Sequence, residues 1–476
     1  RALMHRAFPS ASQQVMNSLA LVTHGGMDEV LAYRRGEAIT VGRFLADVQR
    51  LAALYPPGRH VLNVCTDRYH FAVGLCAALL TRRISLLPPS HTPEMVRQLR
   101  LFAPDVFCLS DEATRVDLPR LDYPASEPVA RGAAPRALPA LADVPCIEAD
   151  QIVAYVFTSG STGVPVPHRK TWSALVRNVQ AGAARLGLTA GARHSIIGTV
   201  PPQHMFGFES TVLLALQGGA ALCAEHPFYP ADICSALVVV PRPRLLVTTP
   251  VHLRALLSAG VEIPALDLVV SATAPMPRQL AQAAEAALGA PLLEIYGSTE
   301  TGQIATRRTA TTVQWALFPQ VRLVPQGERV WVSGGHVEAP VAMGDVLECV
   351  DDQHFFLHGR KADLVNIAGK RSSLAYLNHQ LSAIEGVQDG AFFMPDGDDA
   401  DAGSRVARLH AFVVAPGLSV AALRAALRER IDPAFMPRPL VLVEALPRNS
   451  TGKLPREALQ ALAQAHDQRG RGRHAH

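Results

Sequence analysis

Ile152-Val153-Ala154-Tyr155-Val156-Phe157 runs directly into Thr158-Ser159-Gly160-Ser161-Thr162-Gly163. The first six residues are apolar and rich in β-branched and aromatic side chains, the pattern of a buried strand. The next six combine two glycines with four hydroxyls. Such a turn offers backbone N–H groups and side-chain donors to a polyphosphate. A helix is expected from about Thr171, after the loop. The stretch is not the nucleoside-triphosphatase P-loop, because no Gly-Lys-Ser/Thr follows. Taken alone, it also suits a plain polar turn.

On either side, strands alternate with helices. Upstream, Val41–Leu54 and Tyr69–Thr81 read as helices, and Val61–Cys65 and Ile84–Leu87 as strands. Downstream, strands are expected at Ile196–Val200, Leu245–Thr248, Leu268–Ser271 and Leu292–Tyr296. That alternation predicts an α/β fold with a parallel sheet. Arg115–Val144, rich in Pro, Ala and Arg, reads as a loose connection. After Gly302 the chain turns to short β segments, Val321–Val324 and Val330–Ser333. The block from Asp363 to about Gln468 has strands at Gly390–Phe393, Leu409–Val414 and Leu440–Val443, and helices at Leu374–Ile384 and Ala421–Ile431. It suffices for a small α+β domain.

A chain of 476 residues exceeds one hydrophobic core. Its net charge of +4 demands no nucleic-acid partner. Arg469, Arg471 and Arg473 form the one basic run, read as a disordered tail over 469–476. Seven cysteines without a C-x-x-C pair point to reduced thiols in a cytoplasmic protein. Apolar runs break before 18 residues, so no membrane span is expected, and no secretory signal opens the sequence. Only Lys170, Lys361, Lys370 and Lys453 are lysines among 45 basic residues. Where Arg serves as the generic cation, a retained Lys marks a place that suits a slim ammonium rather than a planar fork.

Three further segments carry chemistry. Tyr296-Gly297-Ser298-Thr299-Glu300-Thr301 follows a strand and sets an aromatic face, hydroxyls and a carboxylate within one turn. Gly344-Asp345 precedes Gly359-Arg360-Lys361-Ala362-Asp363, and Pro447-Arg448-Asn449-Ser450-Thr451-Gly452-Lys453 lies near the C-terminus. In this order and spacing, the four segments resemble the adenylate-forming superfamily of acyl- and aryl-CoA synthetases, luciferases and peptide-synthetase adenylation domains. The resemblance spans essentially the whole chain, and the compact bacterial acyl- and aryl-acid ligases are the nearest type.

It implies a large N-terminal domain (1–361) of parallel and mixed sheets flanked by helices with a β-rich subdomain. A small mobile α+β lid (362–468), hinged near Lys361-Ala362, would follow. It also implies residue roles. Thr158, Ser159, Gly160, Ser161, Thr162 and Gly163 would hold the β- and γ-phosphates of ATP. Tyr296, with Gly297, would stack on adenine opposite Ala274. Thr299 would touch the α-phosphate and Glu300 would hold Mg²⁺. Asp345, helped by Arg360, would bind the ribose, and Lys453 would bridge the acid and the α-phosphate. Gly369, Lys370 and Arg371 would form the loop used for thiol transfer. Acid-dependent acyl-AMP formation, then transfer to CoA or to the phosphopantetheine of an acyl carrier protein, is the implied activity.

Two departures stand out. The loop reads Gly163-Val164-Pro165-Val166-Pro167-His168 where relatives continue Gly-x-Pro-Lys-Gly, so the usual lysine is absent and Lys170 or His168 is the available substitute. Ala362 occupies a hinge position that is usually Asp or Lys. These motivate an alternative, a nucleotide-binding scaffold of reduced activity. Pro201-Pro202-Gln203-His204-Met205-Phe206-Gly207 resembles the acid-pocket segment, with His204, Phe206 and Gly207 beside the acyl chain. No aspartate matches the ammonium partner of an amino-acid substrate, so a fatty or aromatic acid is favoured over an amino acid.

Overall fold

The computed structural model describes residues 17–124, 143–158, 165–188, 193–327, 329–360, 364–367, 370–395, 409–450 and 452–472. Ser159 to Gly163, the hinge at Lys361-Ala362, and Gly369 therefore lie outside the described residues. Lys370, Arg371 and Arg360 are described in their backbone.

Two sheets dominate. The larger has eleven strands among the described residues, and six of them run parallel: Val30–Arg34, Ala221–Cys223, Ser195–Gly198, Arg244–Thr248, Leu268–Ser271 and Leu292–Ser298. Antiparallel strands Gly302–Arg307, Trp315–Leu317, His354–Arg360 and Asp345–Cys349 extend it beyond Leu292–Ser298. The second sheet orders Val166–Thr171, Ile152–Thr158, Ile84–Leu87, His60–Asn63, Phe107–Ser110 and Arg120–Asp122. Near-continuous apolar strands such as LLVT and LVVS fit a sheet covered on both faces.

The helix Arg68–Leu80 explains how the sheets join. Eleven of its thirteen residues are buried, as expected of a helix apolar all round. It touches strands of both sheets and packs on helix Val41–Leu54. One apolar cluster thus runs between the sheets. A second covers the outer face of the large sheet beneath helices Pro230–Val238, Pro250–Ser258 and Arg278–Leu288.

From Leu364 onward the chain has its own cores. Strands Asp389–Phe393, His410–Val414 and Leu440–Leu442 form a three-stranded sheet. Helices Leu374–Ser382 and Val420–Arg428 cover one face, and helix Arg456–Gly472 the other.

Two expectations need correction. The phosphate-loop segment does not pass straight from strand to helix. Strand Val166–Thr171 intervenes and pairs antiparallel with Ile152–Thr158, so residues 159–165 connect the arms of a hairpin. Its sequence, VPHRKT, alternates weakly and holds a proline, which an edge strand tolerates. The tail is also shorter than expected, because helix Arg456–Gly472 carries regular structure through 469–472. In the connection read as loose, Arg120–Asp122 adds an edge strand. All seven cysteines are unpaired, four of them buried, and no helix among the described residues is long and apolar enough to cross a membrane.

Arg68 is fully buried at the start of its helix. Its guanidinium donates to the carbonyls of Gly198 (2.9 Å), Val200 (2.9 Å), Cys223 (3.2 Å) and Glu225 (2.7 Å). It therefore ties the carboxyl ends of two parallel strands to the helix. Arg68→Met leaves those buried acceptors unsatisfied and is expected to lower the unfolding free energy by about 2–4 kcal/mol, measured by denaturant titration.

Candidate active site

In open parallel sheets, ligands gather at the carboxyl ends of the strands. Four neighbouring strands of the large sheet end here, three of them on segments singled out in the sequence. Ser195–Gly198 leads to His204, Arg244–Thr248 to Thr249, Leu268–Ser271 to Ala274, and Leu292–Ser298 to Thr299-Glu300.

Tyr296 packs against both Trp315 and Phe355, with ring centroids 5.5 and 5.7 Å away, and its hydroxyl donates to Asp345 Oδ2. Asp345 stands opposite Arg360 in the edge pairing of the sheet. The antiparallel extension thus brings Asp345 back, 49 residues along the chain, to the end of the Tyr296 strand. Gly297 has its own constraint: a Cβ there would lie 2.2 Å from the Gly302 carbonyl. Ala274 is held indirectly. Glu294, buried on the Tyr296 strand, accepts from Met276 N (3.0 Å), Arg307 (2.8 Å) and Thr309 (2.7 Å). Thr273, just before Ala274, has φ +76°, a strained conformation for a β-branched residue.

Thr299 and Glu300 occupy the tip of a turn closed by reciprocal bonds between Ser298 and Thr301: Ser298 N to Thr301 Oγ1 at 3.1 Å and Thr301 N to Ser298 Oγ at 3.2 Å. The Glu300 carboxylate is 41% exposed. Across from it, the Val166–Thr171 strand presents His168, whose Nε2 lies 2.9 Å from Thr158 Oγ1 and 3.7 Å from Glu300 Oε1. Burial lowers the pKa of His168.

Lys170, two residues along and on the same face of the strand, lies deeper. It is 8% exposed, and its ammonium donates to the backbone carbonyls of Thr299 and Glu300 (3.4 Å to the latter). The expectation that Lys170 could replace the missing loop lysine at the pyrophosphate is therefore corrected. Its ammonium is instead committed beneath the neighbouring turn, buried and bonded to two backbone carbonyls.

His204 caps helix Met205–Gly207, with Phe206 and Gly207 on the first turn. A Cβ at Gly207 would sit 2.0 Å from Pro201 O, so the tight entry admits glycine only. The helix then widens to a π-helical stretch, Phe208–Leu213, a distortion frequent at functional sites. Burial, with Lys453 and His91 nearby, lowers His204 to about 4.

Lys453 is exposed on the C-terminal part. Its backbone N–H donates to Asn449 Oδ1 at 2.9 Å, and Arg448 clamps the turn by donating to Gly452 O (2.9 Å) and, through two nitrogens, to Asp389 (2.7 and 2.8 Å). Asp389 also lies 4.0 Å from Arg254, on the helix whose Thr249 neighbours Gly452. The two parts of the chain therefore meet with the Lys453 turn at the strand ends.

Residues 28–354 match the profile of the family described as AMP-binding enzyme. The chain belongs to this family. It is 32% identical over 336 residues to a 4-coumarate–CoA ligase of Rhodobacter capsulatus, covering 70% of this chain and 82% of that one. It is 28% identical over 197 residues to a 4-chlorobenzoate–CoA ligase of a Pseudomonas species, covering 38% and 36%. Its fold is that of o-succinylbenzoate CoA synthetase from Bacillus subtilis, solved with its acyl-adenylate (TM-score 0.74, 17% identity, 91% and 95% covered). ATP-bound MatB from Rhodopseudomonas palustris is equally similar (TM-score 0.75, 18% identity, 92% and 97% covered). The chain is thus an AMP-forming acid–thiol ligase.

Two buried acids escaped the sequence reading, Glu294 and Glu209. The available signal was a single carboxylate inside an apolar run, LLEIY and GFESTVLL.

Two tests follow from this geometry. Burial holds the nearly inaccessible His24 and His336 at about 4, below the ordinary 6.5. The unfolded chain takes up those protons first, so stability is fully present above pH 6.5 and is lost as pH falls toward 4. The slope is at most about 1.4 kcal/mol per pH unit for each group, read from denaturant midpoints between pH 7 and 4. Arg254→Ala removes the contact with Asp389 and is expected to slow acid-dependent pyrophosphate–ATP exchange about 2- to 5-fold.

Proposed function

We propose that this ligase adenylates an aromatic carboxylic acid and transfers the acyl group to the thiol of CoA. The placement of the Lys453 turn carries this reading: Lys453 is near enough to His204 to act on its charge, and Gly452 neighbours Thr249 at the same row of strand ends that carries the Thr299-Glu300 turn. Relatives named as 4-coumarate, 4-chlorobenzoate and indoleacetate CoA ligases support an aryl over a fatty acid. Residues 1–361 would form the ATP- and acid-binding domain and 362–468 the mobile lid, carrying Lys370 and Arg371 to the site for thiol transfer.

The site fits Mg²⁺ as a partner of ATP. No cluster of three metal-binding side chains exists among the described residues, and Mg²⁺ needs only one or two carboxylates when phosphates and water complete its shell. Glu300, half-exposed at the tip of the turn, meets that need. Bound there, the ion would neutralise phosphate charge as the leaving group departs.

One carboxylate oxygen of the acid attacks the α-phosphorus. The bond to the bridging oxygen breaks, and its electron pair leaves with pyrophosphate. The Lys453 ammonium offsets charge on the carboxylate and the α-phosphate as they approach, and Thr299 donates to the same phosphate. Tyr296 and Ala274 would sandwich adenine, and Asp345 with Arg360 would hold the ribose. Thr158 to Gly163 would hold the β- and γ-phosphates. His204, neutral above about pH 4, would pack with Phe206 and Gly207 against the acyl group. The acceptor thiolate then attacks the acyl carbon, and AMP leaves with the C–O electron pair.

Lys453→Ala is expected to reduce pyrophosphate–ATP exchange at least ~100-fold, measured with benzoic, cinnamic and fatty acids. Exchange led by an aryl acid supports the reading. No exchange with any acid, together with retained ATP binding, would favour a scaffold of reduced activity.

A further inference from the structure

Beneath the Thr299-Glu300 turn lies a buried polar cluster that no step above uses. Lys170 reaches it from strand Val166–Thr171, Asn178 from helix Trp172–Arg185, Glu209 and Ser210 from the π-helical stretch, and His336 from strand end Gly334 onward. Asn178 Nδ2 donates to Gln303 O at 2.7 Å and lies 2.6 Å from His336 Nε2, which is 3.0 Å from Thr301 O. Gln303 Nε2 donates to Ser210 Oγ at 2.8 Å. Backbone groups of Thr299, Glu300, Thr301 and Gln303 are thus all bound from below by side chains.

Lys170 is the charged member, and its two carbonyl acceptors belong to the residues proposed to hold the α-phosphate and the metal. A carbonyl held inward fixes the peptide plane, and with it the outward direction of the side chains on either side. Glu209 lies close enough to interact electrostatically with Lys170. Its Oε1 is buried with no hydrogen-bond partner, and burial raises the group to about 8. Keeping a lysine and a glutamate here is costly relative to apolar residues of the same size, so stability alone does not account for the pair. A compact ammonium with three rotatable donors suits two carbonyls on one turn, which fits the retention of lysine in a chain that otherwise uses Arg.

We propose that Lys170 is a positioning residue: its buried ammonium holds the Thr299-Glu300 carbonyls inward so that the turn meets the triphosphate and its metal ion in a fixed geometry. This rests on the nucleotide role proposed for that turn. It also gives Lys170 a place in the reaction without contact to the nucleotide.

The test is calorimetric binding of adenosine and of MgATP to the wild type, Lys170→Met, and the double variant Lys170→Met/Glu209→Leu. The double variant removes both buried polar groups together and is expected to keep the fold, checked by its melting temperature. Adenosine, held by Tyr296 and Asp345, should bind all three alike. MgATP should bind both variants at least ~10-fold more weakly than the wild type. Unchanged MgATP affinity in a folded variant would overturn the proposal, as would equal weakening of adenosine and MgATP in the double variant. A wild type that binds adenosine but gains nothing from the magnesium triphosphate overturns the nucleotide role of the turn itself, and Lys170's role with it.

Discussion

A carboxylate and a triphosphate repel each other, and the water that screens them has to leave before they can react. Fixed positive charge and oriented donors must therefore stand where the two anions meet. This fold supplies such a place at the carboxyl ends of four neighbouring parallel strands. Each strand delivers one element: the His204 helix after Ser195–Gly198, the helix start at Thr249, the Ala274 segment and the Thr299-Glu300 turn. The apolar layer between the two sheets fixes those ends relative to one another, and Arg68 binds four carbonyls at two of them.

Buried polar groups mark where this arrangement is held at a cost. Glu294 ties the segment just after Ala274 to the Tyr296 strand, and Lys170, Asn178 and His336 hold the next turn from below. Left unpaired in an apolar interior, such groups would be destabilising. Paired, they fix backbone that carries no apolar side chains of its own. Both sets lie directly behind residues proposed to meet the nucleotide, where small displacements matter most.

Lys453 obeys a different logic. It stands on an exposed turn of the C-terminal part, clamped by Arg448 and Asp389 rather than buried. Its reach to the site depends on how that part docks, through contacts as modest as Arg254 to Asp389 at 4.0 Å. A weak interface suits the lid movement proposed for that part.

The sequence by itself determined the α/β class, the apolar strands, and the order of the four chemical segments, because hydrophobic periodicity and local turn chemistry are written in adjacent residues. Leu268–Ser271 was legible to the residue. The strand Val166–Thr171 was not, since VPHRKT has no clear period and pairs only because a hairpin partner lies beside it. Tertiary structure decided what Lys170 meets: its ammonium is bonded to a turn 129 residues away in the chain. It likewise decided that Glu209 and Glu294 are buried, and that Asp345 meets Tyr296. Those facts rest on contacts between distant segments, which packing sets and no local pattern records.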